Sequence, residues 1–210
     1  EARKGWDVLL RAYFEEFTAD EPVSLHVKTR AFHSDDDFDA KIDAFAAERG
    51  LPPRAQRPEV HVIGHELALR GLPRLYKAVD AFVLPSRGEG WGRPHVEAMA
   101  MGLPVIATNW SGTTAFLDDE VGYPLPYELV PVPAEHNLAG HRWAEPDVGA
   151  LRRLMRRLVD RPDEAKAKGA AARERMAARF SNDALAAAAE REFARVADVL
   201  ATRKEERKEE

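Results

Sequence analysis

Residues 89–97 carry two carboxylates, Glu89 and Glu97, with seven residues between them. Glycines at 88, 90 and 92 leave the backbone uncovered, so its N–H groups can approach an anion closely. Pro94 suits the first position of a helix, where free N–H groups and the helix dipole favour negative charge. An apolar strand, a glycine-rich loop and a helix start, in this order, are typical of a phosphate-binding site.

The two carboxylates are suited to hold hydroxyl groups on either side of such an anion. Helix side chains tilt toward the helix N-terminus, so Glu97 is expected to lean back toward the loop. A carboxylate there can accept two hydrogen bonds from a vicinal diol such as a ribose. Glu89, at the front of the loop, could instead meet the hydroxyls of a transferred sugar. The combination suggests an enzyme that acts on a nucleotide sugar.

Spacing alone leaves a purely structural interpretation open. Residues 86–89 read Ser-Arg-Gly-Glu, which fits a capping box, and Glu97 could be only a favourable acid in a first helical turn. A dinucleotide-binding fingerprint fits less well, because the glycines run Gly-x-Gly-x-Gly and no acidic ribose partner ends a following strand.

The composition excludes several classes of protein. The 210 residues are 45% hydrophobic and 32% charged, as in an ordinary globular domain. A net charge of -5 gives no electrostatic basis for binding nucleic acid. The chain has no cysteine, which excludes disulfides and thiolate metal sites. No apolar run approaches the ~18 residues of a membrane helix, so we predict a cytoplasmic protein without a transmembrane segment.

Alternating strands and helices predict a parallel sheet covered on both faces, a Rossmann-like α/β fold. Helical spacing of apolar residues predicts helices over 6–17, 38–50, 72–79 and 94–101. Apolar, period-two or β-branched runs predict strands over 23–29, 60–63, 81–84 and 105–108.

The character of the chain changes after Gly122. Residues 123–146 are rich in Pro, His and polar groups and predict an extended excursion. Asp147 can cap a helix, and two Ala- and Arg-rich helices are expected at 162–180 and 183–202. We therefore divide the chain into a nucleotide-sugar-binding domain (1–180), a C-terminal helix (181–202) and a charged tail (203–210) that is predicted to be disordered.

Two stretches surround and include the glycine loop: 72–86, LPRLYKAVDAFVLPS, and 89–107, EGWGRPHVEAMAMGLPVIA. Both closely resemble the donor half of the group 1 (family 4) glycosyltransferases of GT-B fold. The opening residues 3–10, RKGWDVLL, resemble that family's basic motif. The resemblance implies a retaining transferase that moves a sugar from a nucleoside diphosphate to an acceptor, without a cofactor and without a metal ion.

The resemblance also implies roles for individual residues. Glu89 would contact the donor sugar and Glu97 the ribose, while Lys4 would neutralise the departing diphosphate. The remaining donor-binding residues would be Arg3 together with the backbone of Gly90, Trp91, Gly92 and Arg93. The candidate base-binding residues are Gly64 and His65, although a plain turn fits this segment equally well.

The chain departs from the family pattern in ways that matter for function. The resemblance leads us to expect a second cation several residues before Lys4, just after an opening strand, and the given sequence begins too late to contain either. Where relatives have a Gly-x-Gly turn, this chain has residues 26–30, His-Val-Lys-Thr-Arg, so Lys28 or Arg30 could supply charge instead. The acceptor would be held by an N-terminal domain, and this chain alone should bind donor weakly.

Other readings of the same fold stay open at this point. A nucleotide-sugar epimerase, a phosphorylase-like enzyme or a non-catalytic binding module could carry the same motifs. His95 could touch the donor or the acceptor, but we expect it on a helix surface. His141 and Glu145 have helical metal-ligand spacing, but Pro146 argues against a helix, and His136 lies in a segment unlike the family, so we predict no metal site.

Overall fold

Strands and helices alternate through the computed structural model, which describes residues 1–29, 37–68, 70–134 and 140–209. The helices are α1 (Trp6–Glu16), α2 (Phe38–Glu48), α3 (Leu72–Lys77), α4 (Arg93–Ala100), α5 (Val148–Asp160), α6 (Pro162–Phe180) and α7 (Asn182–Glu209). The strands are β1 (Ser24–Lys28), β2 (Glu59–Ile63), β3 (Phe82–Leu84), β4 (Val105–Thr108), β5 (Tyr123–Leu125), β6 (Tyr127–Pro131) and β7 (Arg142–Pro146). Short 3-10 turns span Ala2–Lys4, Arg54–Gln56 and Ser111–Ala115.

The parallel strands form two separate groups. β1 pairs with β2, with Ser24 opposite Glu59, and β3, β4 and β5 pair in that order. Among the described residues no pairing joins the β1–β2 pair to the β3–β5 group.

Helices cover both faces of the β3–β5 sheet. On β4, Ile106 packs into a core formed by α1, α2 and α5, whereas Val105 and Ala107 pack into a second core with α4 and α6. All three side chains are fully buried, as expected for a central parallel strand between two helical layers. The α/β fold with helices on both faces is therefore confirmed.

The last third of the chain differs from the prediction in two places. The segment after Gly122 is not merely extended, because β6 and β7 form an antiparallel hairpin. Helix α7 continues to Glu209, past its predicted end at residue 202. Lys, Arg and Glu, which are frequent after that residue, are good helix formers. No helix in the described ranges is long and apolar enough to cross a membrane.

The crossing of α4 and α6 gives a test of the second core. A Cβ added at Gly169 would lie 2.1 Å from the carbonyl oxygen of Gly102. We expect Gly169→Ala to lower the free energy of unfolding by about 1–3 kcal/mol despite the better helix propensity of alanine, because the two helices must move apart. Urea unfolding measures this.

The matched control is Gly64→Ala, which adds the same methyl group where nothing lies within 4 Å. Its free energy of unfolding should stay within about 0.5 kcal/mol of the parent. Equal effects for both variants would show that the helix crossing is not tight.

Candidate functional site

The glycine loop, residues 85–92, connects the end of β3 to the start of α4. Gly92 has a φ of 96° and forms the N-cap of α4, a backbone conformation that strongly favours glycine. Because α4 begins at Arg93, its free N–H groups face the loop. The loop therefore lies at the carboxyl end of a parallel strand, where ligands bind in folds of this kind.

The basic turn, Ala2–Lys4, lies against this loop although some 85 residues separate them. Gly5 ends the turn with a φ of 65°, and a Cβ at this position would lie 2.0 Å from the carbonyl oxygen of Pro85. A residue other than glycine would therefore push the start of α1 away from the end of β3. The close approach of the two backbones places Arg3 and Lys4 beside the loop.

Three predicted site residues meet at this contact. The Lys4 ammonium donates to Glu89 Oε1 at 2.7 Å. The Arg3 Nη1 donates to the carbonyl of Gly88 at 2.7 Å and lies 3.4 Å from Glu89 Oε2. Glu89 is only 8% exposed, whereas the Lys4 and Arg3 side chains are 33% and 39% exposed. The carboxylate is thus held from one side while both cations stay accessible to a ligand.

The electrostatics of Glu89 follow from this arrangement. Burial alone raises the pKa of the Glu89 carboxyl, but the hydrogen bond and charge of Lys4, together with the charge of Arg3, outweigh it. The net pKa is lower than usual, so Glu89 is ionised at neutral pH and acts as a hydrogen-bond acceptor.

Glu97 lies in α4 with its side chain partly exposed at 39%. Tyr76 donates to Glu97 Oε2 at 2.9 Å. Burial and the neighbouring Glu97 raise the pKa of Tyr76, so the phenol keeps the proton that it donates. Arg93, which is 84% exposed, approaches Glu97 Oε1 only to 3.8 Å. Oε1 therefore keeps its capacity to accept hydrogen bonds from a ligand.

His95 is fully buried, so the expectation that it lies on a helix surface was wrong. Its Nε2 faces the carbonyl of Leu84 at 3.3 Å, its ring packs edge-on against Phe82, and its Nδ1 lies directly beneath Gly92. Burial lowers the pKa of His95, and partial opposition from the Leu84 carbonyl and Glu89 does not reverse it. The imidazole is a neutral support under the loop.

The far side of the loop rests on the turn after β4. Ser111, with a φ of 66°, donates through its hydroxyl to the carbonyl of Glu89 at 2.5 Å, and the Gly112 N–H donates to the same carbonyl at 2.9 Å. A Cβ at Gly112 would lie 2.6 Å from the Gly90 oxygen. Trp91 packs edge-on against Phe116 and Phe180, which leaves its backbone for a ligand.

Arg87 is the main residue that the sequence analysis missed. Its guanidinium, 6% exposed, donates to both oxygens of Asp7 at 2.8 and 2.7 Å and to both oxygens of Glu145 at 2.6 and 2.8 Å. It also donates to the carbonyl of Ala2 at 2.6 Å and lies over the Trp143 ring. No motif or periodicity marks Arg87, because its partners come from distant segments.

The same network affects its carboxylates. Burial alone would raise the pKa of Asp7, but the hydrogen bond and charge of Arg87 outweigh it, and the pKa is lower than usual. Asp7 and Glu145 are therefore committed to Arg87 rather than to a ligand.

The candidate base-binding residues form a separate feature. Lys28 donates to the carbonyls of Ile63 and His65 at 3.2 and 2.9 Å and so closes the turn that contains Gly64. The side chains of Lys28 and His65 are exposed at this strand end. Arg30 lies outside the described residues. In the described part of the chain no hydrogen bond, ion pair or ring contact joins His65 to the glycine loop.

Within the described ranges no group of three potential ligands could hold a metal ion. His141 precedes strand β7 and Glu145 lies in it, where Glu145 binds Arg87, while His136 lies outside the described residues. Two open clefts of about 240 and 440 Å³ lie elsewhere, one beside Arg57 and the other beside Arg156.

The chain is similar in sequence to known glycosyltransferases. A family model described as "Glycosyl transferases group 1" matches residues 1–139. The lipopolysaccharide core biosynthesis mannosyltransferase LpsB of Rhizobium meliloti (strain 1021) is 36% identical over 72 residues, 34% of this chain and 18% of that protein. The O-antigen chain mannosyltransferase B of Escherichia coli is 53% identical over 38 residues, 18% of this chain and 10% of that protein. The matches thus span less than a fifth of either relative.

Solved structures share the fold over most of the chain. The C-terminal domain of a glycosyl transferase group 1 family protein (LpcC) from Francisella tularensis has a TM-score of 0.65 at 22% identity, covering 87% of this chain and 82% of that one. Sucrose-phosphate synthase from Thermosynechococcus elongatus has a TM-score of 0.65 at 25% identity, covering 95% and 44%. Anabaena Alr3699/HepE, solved with UDP and glucose, has a TM-score of 0.64 at 19% identity, covering 96% and 46%.

The Lys4–Glu89 contact predicts a change in titration. In Lys4→Met the buried carboxyl loses its nearest cation, so we expect the pKa of Glu89 to rise. In the parent, the ion pair stabilises the fold above the ordinary glutamate pKa of about 4.3, and this contribution disappears as the pH falls through the lowered pKa of Glu89. A ¹³C NMR titration of glutamate carboxyls measures the difference.

Arg93→Met is the matched control, since Arg93 belongs to the same site but faces Glu97. It should leave the pKa of Glu89 in place. A Glu89 pKa that stays low in Lys4→Met would mean that the ion pair does not persist in solution.

Proposed function

Because the chain belongs to the group 1 glycosyl transferases, we propose that it is the donor-binding half of a retaining glycosyltransferase. The enzyme would move a sugar from a nucleoside diphosphate sugar to an acceptor. The observation that carries this proposal is the contact of Lys4 and Arg3 with Glu89 at the mouth of the glycine loop. This contact brings two cations and an ionised carboxylate to the loop that precedes the start of α4.

The two cations suit the departing diphosphate. Breaking the bond from sugar to phosphate leaves negative charge on the leaving oxygen, and a fixed cation beside that oxygen stabilises the transition state more than the ground state. Lys4 and Arg3 are held by Glu89 and Gly88 before any ligand binds, so little reorganisation is needed. The N–H groups of residues 90–93 would supply further donors at the start of α4. No metal ion is required for this role.

Glu97 suits the ribose of the donor. One of its oxygens is occupied by Tyr76, which fixes the orientation of the carboxylate, and the other remains available. A ribose hydroxyl can donate to that oxygen while the diphosphate lies along the loop. Glu89 would accept from the sugar hydroxyls. The base would extend toward Gly64 and His65.

The kind of sugar is suggested by the relatives. Both curated relatives are named mannosyltransferases, and HepE was solved with UDP and glucose. We therefore propose a hexose donor. Product analysis with a labelled donor tests this reaction. If the labelled sugar were released as an epimer without an acceptor, the epimerase alternative would be correct instead.

The acceptor would be bound by an N-terminal domain of the same enzyme. The structural match to sucrose-phosphate synthase covers 95% of this chain but only 44% of that protein. Helix α7 leaves apolar side chains exposed, Phe193 at 74% and Leu200 at 58% among them, and these offer a face for another domain. Without that domain we expect weak donor binding and little transfer.

The absence of cysteine fits a reducing compartment, and we propose that the enzyme acts in the cytoplasm.

Glu97 gives a test of donor binding by this chain. Removing a hydrogen bond to a charged group costs about 1.5–3 kcal/mol, so Glu97→Ala should weaken nucleoside diphosphate binding by roughly 10-fold or more. Isothermal titration with UDP, GDP and ADP measures this. Glu190→Ala, which removes an exposed acid from α7, should bind like the parent. Equal affinity in Glu97→Ala would exclude the ribose role.

Lys4 gives a test of catalysis in the complete enzyme. If the ammonium stabilises the leaving diphosphate, Lys4→Ala should lower kcat by about 10²–10³-fold, as for loss of one preorganised transition-state donor. Steady-state kinetics with the donor that binds best measure this. Turnover within two-fold of the parent would rule out the leaving-group role.

A further inference from the structure

The guanidinium of Arg87 is fully committed to the protein. A guanidinium has five N–H donors, and here each one has an acceptor: two oxygens of Asp7, two of Glu145 and the carbonyl of Ala2. Its charge faces two carboxylates. Arg87 therefore has no donor left for a diphosphate and cannot act as a phosphate ligand, although it lies in the glycine loop.

The backbone of Arg87 is committed as well. Its N–H donates to the carbonyl of Arg3 at 2.7 Å, and its carbonyl accepts from Ala144 at 3.1 Å. Side chain and backbone together connect the loop to the basic turn on one side and to strand β7 on the other. Ala2 and Arg3, whose carbonyls accept these hydrogen bonds, immediately precede Lys4 in the chain.

The charges of this cluster are paired within the protein. Arg87 holds the carboxylates of Asp7 and Glu145. Lys4 and Arg3 share Glu89, and Arg3 also pairs with the exposed Glu1. Arg87 and Lys4 therefore hold different carboxylates of the site.

We propose that Arg87 is a positioning residue for sugar transfer: through its bonds to Ala2 and Arg3 and to the carboxylates of Asp7 and Glu145, it fixes the basic turn against the glycine loop. This inference rests on the proposed function for its catalytic consequence, but its structural part does not. Lysine cannot substitute, because a single ammonium lacks the planar fork that holds two carboxylates in fixed directions.

The structural part is tested with the 210-residue chain. In Arg87→Lys the basic turn should lose its fixed position, so the contact of Lys4 with Glu89 weakens and the pKa of Glu89 rises in a ¹³C NMR titration. Arg175→Lys is the matched control, because Arg175 also joins two carboxylates, Asp118 and Glu120, and is largely buried. It should leave the Glu89 titration unchanged.

Glu145→Gln is a second test variant, to be measured in case Arg87→Lys does not fold. It keeps the size of the side chain and leaves Arg87 paired with Asp7, so it should shift the pKa of Glu89 in the same direction by a smaller amount. A Glu89 pKa that equals the parent value in whichever of these variants folds would overturn the proposal.

The catalytic part is tested by a double-mutant cycle in the complete enzyme. A misplaced cation should cost about 10–100-fold in kcat for Arg87→Lys. In the Lys4→Ala background the same substitution should change kcat by no more than about two-fold, because Arg87 acts through Lys4. An equal loss in both backgrounds would show a merely structural role and contradict the proposal.

The two tests separate this inference from the proposed function. If the complete enzyme transferred no sugar from any nucleoside diphosphate, the proposed function would fail. The Glu89 titration would still decide whether Arg87 positions the basic turn.

Discussion

The pairing of the buried Arg87 guanidinium is the constraint on which the site depends. A buried cation is tolerated only when its charge and its hydrogen-bond donors are satisfied. Its carboxylate partners lie at the start of α1 and in β7, so both elements must converge on the end of β3. That convergence also carries Lys4 to Glu89. The same bonds that stabilise this part of the fold therefore define the arrangement of cations and acid to which we attribute donor binding.

Close approach of backbones makes the convergence possible. Gly5 and Gly112 occupy positions where a Cβ would lie 2.0 and 2.6 Å from a carbonyl oxygen of the loop. Gly92 adopts a positive φ directly above the buried His95. The loop is thus held by α1 on one side, by the turn after β4 on another and by an imidazole beneath it. A loop supported in this way can present its N–H groups to an anion with little loss of conformational entropy on binding.

Much of this architecture could be predicted from local sequence patterns, because periodicity reports which face of an element is buried. The strand at 105–108, the helix after the glycine loop and the family resemblance were all confirmed. The partners of Arg87 could not be predicted, since Asp7 and Glu145 lie far from it in the sequence and only the fold brings them together. His95 was misjudged for a related reason: a polar residue in a short helix gives no local sign of burial. The end of α7 was predicted too early, at residue 202 instead of Glu209, because the helix propensity of the charged residues was given less weight than their lack of an apolar pattern.

The surface formed by the glycine loop and the basic turn is where we propose that the diphosphate binds. The most direct measurement is a ¹H–¹⁵N NMR titration of the chain with UDP, GDP and ADP. We predict that at least one nucleotide shifts the amide resonances of residues 90–93 and of Lys4, and leaves those beside Arg57 and Arg156 in place. Saturable shifts confined to the surfaces beside Arg57 or Arg156, or no shift with any of the nucleotides, would contradict the account.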